Sequence, residues 1–137
     1  MKNHGEIILY QAEDSTQLEV RIEDETVWLT QAQMAELFQT TRNNVTLHIS
    51  NIFKEGELEI NAVSKESLLT ASDGKNYNTI FYNLDVIISV GYRVKSKRGT
   101  QFRIWANNVL KGYLMKGYVL HQRVDRIKLI RKIENQK

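Results

Sequence analysis

At 137 residues with no cysteine and no proline, the chain is long enough to bury one core without disulfides or metal, and thiolate clusters and thiol nucleophiles are excluded. The formal charge of +3 conceals a split: up to Val90 there are 6 Lys and Arg against 14 Asp and Glu, and from Gly91 onward 13 against 2. A basic C-terminal third is the footprint of a part that meets phosphates, or of cations that face solvent or pair with the acidic half. No apolar stretch approaches the roughly 20 residues that span a bilayer. Met1 to Gln11 also lacks a secretory signal pattern, so a cytoplasmic protein with no membrane partner is expected.

Ile7 to Tyr10 reads as a short strand. Leu18, Val20 and Ile22 alternate with Glu19 and Arg21, the period of a half-buried strand. The acidic turn Glu23-Asp24-Glu25 leads to Val27-Trp28-Leu29, and a β-meander over residues 1–29 is expected, with Trp28 as a core residue. Thr30 is a good N-cap for a helix over Gln31 to Phe38. After a break at Gln39-Thr40, Thr41 caps a second helix to about Phe53, whose buried stripe is Val45, Ile49 and Ile52. Glu66 to Ala71 and Tyr77 to Tyr82 flank Ser72-Asp73-Gly74-Lys75-Asn76, where Asp-Gly suits a hairpin turn. Two helices followed by a hairpin is the order of a winged helix, assigned to residues 30–83.

Asn83 caps a helix from Leu84 to Val90, ended by Gly91. Thr100 caps a longer one with an apolar stripe from Phe102 to Tyr113, stopping near Gly117. These form a helical part over 84–118, and residues 119–137 form a basic helix or tail. There Leu120, Val124, Ile127, Ile130 and Ile133 make a stripe among cations. That stripe is a seam for a two-fold homodimer, or it folds back onto the chain's own core. The fold class expected is thus α+β, a winged helix-turn-helix-like unit with an N-terminal β-meander and a basic helical C-terminal part.

A helix-turn-helix requires two helices to cross steeply through a short turn, with a small residue permitting close approach. Ala35 provides it, and Met34, Phe38, Val45 and Ile49 supply the apolar contacts. The second helix then presents Arg42, Asn43, Asn44, Thr46, Leu47 and His48 for reading bases, and asparagine suits adenine. No acid lies between Glu36 and Glu55. The turn carries Gln39 where glycine is often found. Phosphate contacts are expected from Thr41, Lys75, Arg93, Lys95, Lys97, Arg98 and Arg103.

No catalytic pattern emerges. His4, His48 and His121 are scattered, so no metal site is expected. Ser72-Asp73-Gly74-Lys75 lacks the glycines of a phosphate loop, and Glu55, Glu57 and Glu59 read as a solvated face. Neither enzyme activity, cofactor nor small-molecule ligand is expected.

Together these segments resemble the virulence-associated RhuM family, from about Glu6 to Leu120. The resemblance rests on Val27 to Phe38, His48 to Leu58 and, most specifically, on Tyr82-Asn83-Leu84-Asp85-Val86-Ile87-Ile88-Ser89-Val90-Gly91-Tyr92-Arg93 and Arg98-Gly99-Thr100-Gln101-Phe102-Arg103-Ile104-Trp105-Ala106. It implies a DNA-binding protein of genomic-island, prophage-like or restriction-modification loci, without naming a target. The Phe102-Arg103-Ile104-Trp105 helix is also similar to N-terminal domains of phage antirepressors and regulators. Family members that continue past Gly117 suggest a truncated member or an N-terminal domain over residues 1–118. The function expected is a sequence-preferring double-stranded DNA-binding regulator. The alternative is a protein-interaction module, antirepressor-like or toxin-neutralising.

Overall fold

The structure, a computed structural model, describes residues 5–12, 17–70 and 72–122, with side chains as far as Tyr113. The chain divides into two compact units, Met1–Arg103 and Ile104–Lys137. The first is an α+β unit built on one antiparallel sheet of five strands in the order β1-β2-β3-β5-β4. The strands are β1 (Glu6–Gln11), β2 (Gln17–Glu23), β3 (Thr26–Thr30), β4 (Ser64–Thr70) and β5 (Asn76–Asn83). The helices are α1 (Gln31–Phe38), α2 (Arg42–Lys54), a single turn α3 (Ile60–Val63), α4 (Leu84–Arg93) and α5 (Lys97–Gln122).

The alternation in β2 sets the two faces of the sheet. Leu18, Val20 and Ile22 are buried, and the register carries that face through Val27 and Leu29 of β3 to Tyr82 of β5. Met34 and Leu37 of α1, Val45 and Ile52 of α2 and Val86 and Val90 of α4 complete this core, all fully buried. The opposite face carries Trp28 and Phe81, which are buried by cations rather than by a second layer. Lys65 Nζ lies 4.3 Å from the Trp28 ring centroid and the Arg21 guanidinium 4.3 Å from that of Phe81. The charged groups themselves lie over the ring faces, where the negative π density attracts them. Lys65 also pairs with Glu23 at 2.6 Å and Asp24 at 3.1 Å.

The expected meander is present, but it does not end at Leu29. β3 pairs with β5 as well as with β2, so the first three strands and the hairpin share one sheet. The starts of α1, α2 and α4 follow the expected caps. The Thr30 hydroxyl accepts from Gln33 N–H while the Gln33 side chain accepts from Thr30 N–H, a reciprocal capping box. The Thr41 hydroxyl accepts from Asn44 N–H, and the Asn83 side chain from Val86 N–H.

Two boundaries differ from expectation. α4 continues past Gly91 to Arg93, because Gly91 serves a close approach rather than a stop. A Cβ there would meet the Phe38 ring at 3.0 Å and Gly99 Cα at 3.5 Å. α5 begins at Lys97 rather than after Thr100, since the Ser96 hydroxyl already accepts from Arg98 N–H. It also runs through Gly117 to Gln122. The stripe from Val124 to Ile133 lies outside the described residues, and the side chain of Leu120 does too.

Candidate nucleic-acid interface

α1 ends at Phe38 in a motif that needs a left-handed residue. Thr40 N–H reaches Ala35 O at 2.9 Å and Gln39 N–H reaches Glu36 O at 3.3 Å, with Gln39 at φ 55°. Glycine is the usual residue there, and glutamine fills the position in this chain. The three residues Gln39 to Thr41 then turn the backbone into α2, whose Val45, Ile49 and Ile52 point into the core.

The remaining face of α2 is open. Arg42, Asn43, Thr46 and Leu47 are exposed, whereas Asn44 and His48 are half-buried. Several of these groups already have local work. Asn44 Nδ2 donates to Thr40 Oγ1 at 2.9 Å, fixing the turn. The Thr46 hydroxyl lies 2.6 Å from Gln31 Oε1 and 2.9 Å from Arg42 O, and its single proton serves one acceptor at a time. Gln31 Nε2 in turn donates to the Tyr82 hydroxyl at 3.1 Å. A chain of polar contacts thus ties α2 through α1 to β5. Asn43, Arg42 and Leu47 stand clear of it.

Beside the first turn of α2, a groove of about 390 Å³ separates the helix pair from the hairpin, with Arg42, Gln31 and Ala32 on one wall and Leu69, Asn78 and Ile80 on the other. β3 leaves the sheet at Thr30, opposite Phe81, which leaves the β3-facing side of β5 from Asn76 to Ile80 unpaired within the described sheet. Gln31, Asn78 and Ile80 were not singled out from sequence. The period of two along β5 carries the signal, since it places Asn78 and Ile80 on the Tyr82 side.

The expected phosphate contacts fall in three places. The Thr41 hydroxyl caps α2. Lys75 is exposed at the hairpin tip, where Lys75 N–H and the Tyr77 hydroxyl both donate to the Asp73 carboxylate, at 2.9 and 2.8 Å. Those bonds, the Lys75 backbone first, hold the Asp73 carboxyl below its ordinary value and raise the Tyr77 phenol above its own. The others lie where α4 meets the start of α5. There Arg93 is committed to Glu55 at 2.8 Å and Glu57 at 2.7 Å, and Arg98 donates to the Leu37 carbonyl. Lys95, Lys97 and Arg103 are exposed. Among the described residues no cluster of three or more His, Asp or Glu is placed to hold a metal, and no described helix is long and apolar enough to cross a membrane.

The model of the virulence protein RhuM family matches residues 62–136, more than half of the sequence. The chain belongs to that family. The matched stretch takes in the hairpin, α4 and α5, including the two segments that carry the resemblance most specifically, while α1 and α2 precede it. No curated protein and no solved structure matches this RhuM-family chain.

Proposed function

We propose that β3, α1, α2, β4 and β5 work as a winged helix-turn-helix that binds double-stranded DNA, and that the protein regulates transcription at a mobile-element or prophage-like locus. The observation that carries this reading is topological. A strand, two helices joined by a three-residue turn and a hairpin form one unit, with the strand order β3-β5-β4 around the helix pair. An α-helix with an acid-free outward face suits the major groove, and a hairpin beside it suits the flanking backbone. In this reading Asn43, Arg42 and Leu47 meet base edges, Asn44 and Thr46 hold the helix in place, and Thr41, Lys75 and Lys97 meet phosphates. A two-fold dimer supplies the second half-site.

The exposed apolar side chains Leu47, Leu68 and Ile80, at 56%, 65% and 44%, favour a second reading in which the same surface binds a protein. Selection from pooled random duplexes, followed by binding measurements on variants, separates the two. Asn43→Ala is expected to relax sequence preference at a cost of about 1–3 kcal/mol, and Lys97→Ala to weaken all duplexes alike. No enrichment of any duplex would refute the DNA reading.

A further inference from the structure

Where α4 turns into α5, residues between Ile88 and Arg103 line a second, half-open hollow of about 520 Å³, within the range of about 300–1,000 Å³ usual for small-molecule sites. At its base Gly91 and Gly99 approach each other closely, and a Cβ on either would press on the Phe38 ring. Around it stand Lys95, Arg103, Ser96, Thr100 and Tyr92, and no carboxylate lines it.

The cations here differ from Lys65 and Arg93 of the same unit. Lys65 and Arg93 each hold two carboxylates, whereas the side chains of Lys95 and Arg103 make no ion pair or hydrogen bond among the described residues. Lys95 also occupies a costly position. Ser96 N–H bonds Gly91 O at 3.0 Å and Lys95 N–H bonds Tyr92 O at 3.1 Å, which closes α4 with Lys95 at φ 56°. Glycine fills such a position without strain, and lysine stands there as Gln39 does at the end of α1. Tyr92 is 86% exposed, the most exposed large ring of the described residues. An exposed aromatic beside two uncompensated cations and two hydroxyls matches a ligand with a flat ring and a phosphate.

We propose that this hollow binds a nucleotide: Lys95 and Arg103 take the phosphate charge, Ser96 and Thr100 donate to its oxygens, and Tyr92 stacks on the base. The site uses none of the α2 or hairpin residues and does not rest on the DNA reading. The test is calorimetric titration of the full chain, at low salt, with ATP, GTP, pyrophosphate and adenosine.

ATP or GTP is expected to bind one per chain, pyrophosphate more weakly and adenosine not at all. Lys95→Gly removes the amine while relieving the left-handed backbone, so its unliganded melting temperature should hold or rise while nucleotide affinity falls about tenfold or more. Tyr92→Ala should weaken the nucleotide about fivefold or more and leave pyrophosphate unchanged. Arg42→Ala should alter neither. The proposal fails if no nucleotide binds, if binding survives both Lys95→Gly and Arg103→Ala, or if these variants change affinity for a duplex oligonucleotide alone. The last outcome would make the two cations backbone contacts for DNA.

Discussion

At Glu57, donors from two parts of α4 meet one carboxylate: Arg93 contributes a guanidinium at 2.7 Å and Ser89 a hydroxyl. The Arg93 bond first and the Ser89 bond second hold the Glu57 carboxyl below its ordinary value of 4.5. A carboxyl whose folded value lies below its unfolded one stabilises the fold in its charged form. That contribution is complete above about pH 4.5 and is lost as the pH falls through the lowered folded value. Because the Glu57 side chain is 44% exposed, solvent screens the pair and the effect is modest. Melting temperature is therefore expected to drop on acidification below the ordinary carboxylate range, and Glu57→Gln to flatten that drop. Superimposable pH profiles for the two proteins would show that the contact carries no linkage. The same network explains why Arg93 reads misleadingly from sequence. Its partners lie 38 and 36 residues away, so a local charge count registers a cation and misses what neutralises it.

Among the elements, the starts of α1, α2 and α4 were legible because a cap is a local event, spanning three residues in each of Thr30, Thr41 and Asn83, whereas α5 starts three residues before the expected Thr100 cap. Helix ends were less so. Gly91 has the residue type of a stop, but its reason is tertiary, namely the Phe38 ring and Gly99 pressed against it. Conversely, Gln39 and Lys95 end helices in the left-handed region without being glycine. The single turn α3 follows no cap bond and has one buried residue, Val63, too little pattern to read. The Gly91 contact gives a stability prediction. Gly91→Leu must displace Phe38, and overpacking of this kind costs about 1–3 kcal/mol. In Gly91→Ala a tight Cβ contact opposes a helix-propensity gain of about 1 kcal/mol, so the net change should be near zero. Urea denaturation distinguishes the outcomes, and an unchanged midpoint for Gly91→Leu would contradict the packing described.

Over the whole molecule, the α+β class and the order of the strands and of the helices other than α3 follow from periodicity, since strand and helix patterns seldom coincide over a full element. What periodicity does not carry is which strands become neighbours. β3 joins the N-terminal strands to the hairpin by pairing on both edges, and only the register reveals that Tyr82 and Leu29 share the helix side. The groove between α2 and the hairpin follows from that pairing, which is why Arg42 was expected at the surface while Asn78 and Ile80 were not expected beside it. The proposal that DNA is the partner rests on the strand–helix–helix–hairpin topology together with the acid-free α2 face beside this hairpin. Neutralising phosphates releases condensed counterions, so the slope of log affinity against log salt counts the contacts at about 0.9 per phosphate. The most direct measurement is therefore the dissociation constant for a selected duplex across a series of salt concentrations. The account predicts saturable binding that weakens steeply with salt, and a shallower slope for Lys97→Ala. Affinity that is absent at low salt, or independent of salt, would contradict it.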